Sequence, residues 1–198
     1  MSDETGHPIV CIGASWGGVD ALRTVLKGLP ADLPTAICIV LHRPDPDGIA
    51  QLARVLSKDT GLTVCEPDDK QEMSNGVAYV APAGYHLMVE DGHLALSVED
   101  RVRWARPSVD VLFETAAESR AGGAIAVVLT GANDDGARGA RAVHAAGGTV
   151  LVQDPDEAER REMPDAAIAM TEVDAVLPLD DIAGEIVRRI RGLVPRGA

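Results

Sequence analysis

Val10-Cys11-Ile12-Gly13-Ala14-Ser15-Trp16-Gly17-Gly18 runs from an apolar segment straight into glycines, with one serine between them. Pro8 to Gly13 has the length and unbroken apolar character of a buried strand. From Val19 to Leu29, the residues Leu22, Val25, Leu26 and Leu29 fall on one helical face. A strand without polar alternation is covered on both sides, and a tight turn from it into a helix opens an α/β unit. The pattern recurs at once: Ala36 to Leu41 is a second apolar strand, and Ile49, Leu52, Ala53 and Leu56 form a second amphipathic stripe. The chain is therefore expected to be α/β, a doubly wound, mainly parallel sheet with helices on both faces.

The middle departs from this rhythm. Val77 to Val80 and Tyr85 to Glu90 read as strands, Glu90-Asp91-Gly92 as a turn, and Leu94 to Val98 as the returning strand. The expectation is an inserted β-hairpin. Arg106-Pro107-Ser108 then opens a helix, with Pro107 in its first turn and Val109, Leu112, Phe113 and Ala116 as its buried stripe. Ala124 to Leu129 is a further strand, Gly136 to Ala146 a small-residue helix and Thr149 to Val152 another strand. Asp156 to Met170 is helical in pattern but must break or restart at Pro164. Val176-Leu177 is a short edge element, and the last helix carries Ile182, Ile186, Val187 and Ile190. One domain over 8–193 is expected, between tails at 1–7 and 194–198.

Composition narrows the function. With 31 acidic and 18 basic residues the 198-residue chain carries a net charge of −13, a field that disfavours nucleic acid and anionic membranes as partners. The opening MSDETGHP is too polar for a secretory signal, and no apolar run approaches the ~20 residues of a membrane span. Cys11, Cys38 and Cys65 are odd in number and lack metal-ligand spacing; Cys11 and Cys38, inside apolar runs, read as buried reduced thiols. These features point to the cytoplasm and give little support to a Cys-His enzyme.

Gly13-Ala14-Ser15-Trp16-Gly17 fits G-x-S-x-G, in which a strand-to-helix turn lifts a nucleophilic serine above the carboxyl edge of a sheet. The same serine could be an N-cap, and from this stretch alone the two readings stand level. A phosphate loop fits poorly, since neither a Lys-Ser/Thr ending nor G-x-G-x-x-G spacing is present. A nucleophile needs a base and an orienting acid. Of the histidines, His7 lies in the expected tail, His93 in the hairpin turn and His144 in a helix. His86, at the start of a hairpin strand, is a candidate. His42, directly after the second strand, is better placed, because parallel strands end on one side. Asp135 follows the strand that ends in Leu129-Thr130-Gly131, although a turn or cap role is common for such an aspartate. The order Ser, His, Asp differs from the Ser, Asp, His order of α/β-hydrolases.

IGASWGGVDAL, VLHRPDPDG, VAPAGYHLMVE, RPSVDVLFETAA, VVLTGANDDGARG and QDPDEAERREMPDAAI, in this order, resemble the catalytic domain of the chemotaxis protein-glutamate methylesterase (CheB-type) family, from about Pro8 to Ile190. The resemblance implies a parallel α/β fold with a hairpin. It also implies hydrolysis of glutamate γ-methyl esters on chemoreceptors, with deamidation of certain glutamines. It puts the nucleophile on Ser15, the base on His42 and the acid on Asp135, with Asp134 a rival by adjacency only. Backbone N–H groups of Trp16 and Ala132 would bind the oxyanion, and no metal or cofactor is implied. The partner would be the cytoplasmic part of a methylated chemoreceptor or another protein substrate; because the family's receiver domain has no counterpart in the seven residues before the first strand, the expectation is constitutive action, pairing with a separate response regulator, or service in a system other than chemotaxis. Two positions depart from the family: Trp16 where threonine is common, and Ala132-Asn133 where methionine and glycine are usual. Arg106 and Ser108 are read as a solvated base and a helix-start residue near the mouth, and Asp154 to Glu162 as a solvated helix face. The competing functions are a stand-alone serine esterase with a non-chemoreceptor substrate and a catalytically silent binding module.

Overall fold

The computed structural model describes residues 8–42 and 49–193; the expected tails lie outside them. Seven strands form one parallel sheet in the order β10-β9-β8-β1-β2-β5-β3. They are β1 (Ile9–Ala14), β2 (Ala36–Leu41), β3 (Thr63–Cys65), β5 (Val77–Val80), β8 (Ala124–Val128), β9 (Thr149–Gln153) and β10 (Ala175–Leu177). Every residue of β1, β2 and β8 is buried, which is why these segments show no polar alternation.

Alternate side chains of the strands feed two separate cores. Val10 and Ile12 of β1 and Ile37 and Ile39 of β2 point to a face covered by α1 (Gly18–Gly28), α2 (Ile49–Leu56) and α6 (Leu179–Leu193). Ile182, Ile186 and Ile190, each one helical turn from the next, anchor α6 there. Cys11 of β1 and Cys38 and Val40 of β2 point to the other face, under α3 (Val109–Ser119), α4 (Ala137–Ala145) and α5 (Glu162–Met170). Each buried Leu, Ile or Val contributes about 1.5–3 kcal/mol, so both faces must be covered for the sheet to persist.

The insertion is larger than a hairpin. β6 (His86–Val89) and β7 (His93–Ser97) form the expected antiparallel pair, but β4 (Gln71–Glu72) joins the far side of β7. Val77 to Val80 is not part of this unit: it pairs in parallel with both β2 and β3. The short β3 and β4 have no sequence pattern long enough to announce them. Pro107 also sits differently from expectation. Ser108 is the N-cap of α3 and the helix begins at Val109, which leaves Pro107 outside. The segment from Asp156 to Arg161 is not helical; α5 starts at Glu162, with Pro164 in its first turn, where a missing N–H costs nothing.

Chain order reverses direction across the sheet between β1 and β8, because β2 lies on one side of β1 and β9 on the far side of β8. A crevice opens outside the carboxyl ends at such a switch point. Ser15 follows β1, His42 follows β2, and Asn133 and Asp135 follow β8.

Candidate active site

Ser15 is not the cap of the helix that follows it. Gly17 is the N-cap of α1, at φ 75°, and α1 receives no side-chain cap. Glycine adopts this left-handed conformation without the steric cost a side chain would carry. The Ser15 backbone is fixed instead: its N–H donates to Thr130 O at 2.9 Å, and its carbonyl accepts from Gly18 N at 2.9 Å. The side chain lines a pocket of about 310 Å³ together with His42 and Asn133, faced by Arg103, Trp104 and Arg106 from the loop between β7 and α3. His42 is drawn to the same edge by its N–H, which donates to Ala14 O at 3.0 Å.

His42 Nε2 lies 2.7 Å from Asp135 Oδ2. Asp135 is completely buried, yet both its oxygens are satisfied. Oδ2 also accepts from Val109 N at 2.7 Å, while Oδ1 accepts from Asp110 N and from Ser108 Oγ, each at 2.9 Å. Val109 and Asp110 are the first residues of α3, so the carboxylate occupies the donor-rich end of that helix. Burial pushes this carboxyl up, but the bonds from His42 and from the Asp110 and Val109 amides outweigh it and hold the group below the usual aspartate range. An ionised, immobile carboxylate can orient the imidazole and stabilise its charged form.

Asp110 returns the service. Its Oδ1 accepts from Gly136 N and Gly139 N at 2.9 Å, at the start of α4, whose N-cap Gly136 has no side chain to offer. Asp135, just before α4, thus caps α3, and Asp110, inside α3, caps α4. Burial raises the Asp110 carboxyl above its ordinary range, and the Asp135 charge adds to this. Arg103 and Arg138 stand 3.7 Å from its second oxygen.

Asp134, the neighbour of Asp135, is exposed and paired with Arg103, away from His42. His86 is buried outside the pocket: its Nδ1 accepts from Ser108 N at 3.2 Å, and its Nε2 faces Asp100 O at 3.1 Å. It supports the loop leading to α3. His93 faces Glu90 in the hairpin and His144 lies in α4. His7 is outside the described residues. Burial pushes the Cys11 thiol well up, with Cys38 beside it, so no thiolate is available there.

Several readings of polar residues need correction. Ser108 starts a helix, as expected, but also donates to Asp135. Arg106 is not a solvated base: it is half-buried and its guanidinium donates to Val98 O and Glu99 O, tying the pocket loop down. Asp154 to Glu162 is a turn-rich strap, not a helix face. Glu159 accepts from the Trp16 indole at 2.7 Å, and the Arg160 guanidinium lies 5.3 Å from the indole centroid. Thr130 Oγ1 joins the strap to the serine turn, donating to Trp16 O and accepting from Arg160 N, both at 2.9 Å. The hydrogen-bonding roles of Thr130, Asp110 and Asn133 escaped sequence reasoning; the one available signal was their position directly after a buried strand or in the first turn of a helix.

The family model for CheB methylesterase matches residues 10–186. The chain belongs to the CheB methylesterase family. A relative from Leptospira interrogans, named for protein-glutamate methylesterase and protein-glutamine glutaminase activities, is 43% identical over 186 residues, covering 92% of this chain and 94% of its own. The Rhodopseudomonas palustris protein-glutamate methylesterase/protein-glutamine glutaminase 3 is 40% identical over 187 residues, and this chain spans 51% of its length. The crystal structure of the Thermotoga maritima CheB methylesterase catalytic domain superposes with a TM-score of 0.88 at 34% identity, covering 93% of this chain and 99% of that one. The chain is thus a carboxylic ester hydrolase of the CheB type, with the α/β fold of that catalytic domain.

Trp16 and Ala132 carry the two amides expected from the sequence to bind an oxyanion. Among the described residues, neither the Trp16 nor the Ala132 N–H is engaged by an acceptor. The Trp16 ring is turned onto the strap, so the replacement of threonine leaves the backbone donor in place.

Proposed function

We propose that this protein removes methyl groups from glutamate γ-methyl esters of chemoreceptor cytoplasmic domains, through Ser15, His42 and Asp135, with deamidation of receptor glutamines as a second reaction. The observation that carries the proposal is the 2.7 Å bond from His42 to a fully buried Asp135, on the wall of the pocket that Ser15 also lines. Ser15 Oγ attacks the ester carbonyl as His42 Nδ1 takes its proton. Asp135 holds the proton on Nε2 and stabilises the imidazolium. The Trp16 and Ala132 N–H groups donate to the oxyanion. Methanol leaves with the proton from Nδ1, forming the acyl-enzyme. His42 then activates a water, the acyl bond breaks, and the glutamate carboxylate and free serine are released.

The work takes place in the cytoplasm, in line with three free cysteines and with the lack of any helix among the described residues long and apolar enough to cross a membrane. Residues 8–193 make up the catalytic domain, and a separate response regulator is the proposed controlling partner. A second reading, another ester substrate, is favoured by Trp104, which stands 92% exposed on the pocket loop. The deciding assay is methanol release from a methylated receptor fragment, wild type beside Ser15→Ala. Release by wild type alone supports the proposal; release by both removes Ser15 from the chemistry, and release by neither moves the substrate elsewhere.

A further inference from the structure

The ring nitrogen of His42 that Asp135 does not engage already has a partner. The Asp135 N–H can only donate, and its acceptor is Asn133 Oδ1 at 3.1 Å. This fixes the orientation of the Asn133 amide, so the end that meets His42 Nδ1 at 3.1 Å is the NH₂ group. Nδ1 therefore accepts. The other ring nitrogen, Nε2, meets the ionised Asp135 carboxylate and therefore donates. Three hydrogen bonds close a circuit through Asn133, Asp135 and His42, and only one tautomer of a neutral imidazole satisfies all of them: proton on Nε2, lone pair on Nδ1.

That tautomer is the one a base needs when it takes the Ser15 proton on Nδ1. Once Nδ1–H forms, however, two donors face each other and the Asn133 bond is lost. A bond present in the resting enzyme and absent in the transition state raises the barrier. We propose that Asn133 is a positioning residue that locks His42 in the base tautomer at rest and acts as a brake on turnover. The proposal rests on the triad reading above for its kinetic half, but not for the tautomer lock.

Among the described residues, the charged groups around the ring are few. Asp135 lies on Nε2; Arg101, Arg103 and Arg106 line the pocket from the β7–α3 loop; and Asp134 is held by Arg103. Of these residues, Asp135 is bonded by Asn133 itself, through its backbone N–H. Asn133→Ala removes both the donor to His42 and the acceptor of the Asp135 N–H, whereas Asn133→Asp keeps the Oδ1 acceptor for Asp135 N while replacing the donor by an acceptor.

The test has two arms on the full chain. In ¹⁵N spectra of the His42 ring, wild type should show a protonated Nε2 and a hydrogen-bonded, unprotonated Nδ1. In Asn133→Ala the Nδ1 resonance should move downfield while Nε2 stays. An unmoved Nδ1, or a proton on Nδ1 in wild type, overturns the lock. In hydrolysis of p-nitrophenyl acetate, Asn133→Ala should raise the plateau kcat about three- to tenfold and move the acid limb of the pH–rate profile to higher pH. Asn133→Asp should move that limb further. A slower variant with an unmoved limb overturns the brake. If Ser15→Ala hydrolyses the ester as fast as wild type, the triad reading has failed while the ¹⁵N arm still decides the lock.

Discussion

The two ends of the proposed proton path through His42 are built in opposite ways. At the Asp135 end every oxygen is satisfied: two helix amides, a serine hydroxyl and the imidazole surround a carboxylate with no solvent exposure. At the Ser15 end the hydroxyl borders an open pocket, and the flanking Trp16 is 59% exposed. Buried charge is tolerable only where it is fully paired, so rigidity is concentrated at the acid. The proposed nucleophile would have to meet a bulky protein substrate, and its surroundings are open. Disturbing the first end should cost both fold and rate; disturbing the second should cost rate alone.

The sharpest break of this contrast is Ser15→Ala. It should lower kcat on the order of 10⁶-fold while the melting temperature stays within about 1 °C of wild type. A large drop in melting temperature would mean that the serine end carries structure after all. Asp135→Asn should cut kcat on the order of 10⁴-fold. Here stability must fall as well, because an amide NH₂ cannot face so many donors. A loss of about 3 kcal/mol, read by urea denaturation, is expected.

Asp135 also predicts a slope with pH. Its folded-state carboxyl is held below the ordinary aspartate range. Its contribution is therefore complete above the unfolded aspartate range and lost as pH falls through the lower folded value. Wild type should lose stability in that acid window, and Asp135→Asn should show a shallower loss; parallel curves would place the acid sensitivity elsewhere. Ser108→Ala removes one donor to Asp135 and the cap of α3, for about 1–2 kcal/mol and a modest fall in kcat. The smallest effect on the fold belongs to the open side: Trp104→Ala should change stability by less than about 0.5 kcal/mol. It should raise KM for a protein ester and leave KM for a small ester unchanged; equal changes for both would remove Trp104 from recognition of the larger substrate.

Much of this architecture is legible along the chain. Unbroken apolar runs in β1, β2 and β8 announce strands buried on both faces, and their carboxyl ends place Ser15, His42 and Asp135 on one edge before any coordinates are known. The motif blocks add the family. What escaped notice depends on partners distant in sequence. β3 and β4 are too short to carry a period and exist because neighbouring strands offer hydrogen bonds. Arg106 looks solvated until the carbonyls of Val98 and Glu99 are seen beside it. The strap at Asp154 to Glu162 has a helical pattern, yet helix begins only at Glu162.

By itself, then, the sequence determined the α/β class, the two apolar faces and the chemical types gathered at the sheet edge, because burial and periodicity are local properties of a chain. Only the tertiary structure decided that Gly17, not Ser15, caps α1, that Asp110 and Asp135 cap each other's helices, and that Asn133 faces Nδ1 of His42. Those are choices among competing hydrogen-bond partners, and a partner 25 or 91 residues away becomes available only when the sheet has brought the strand ends together.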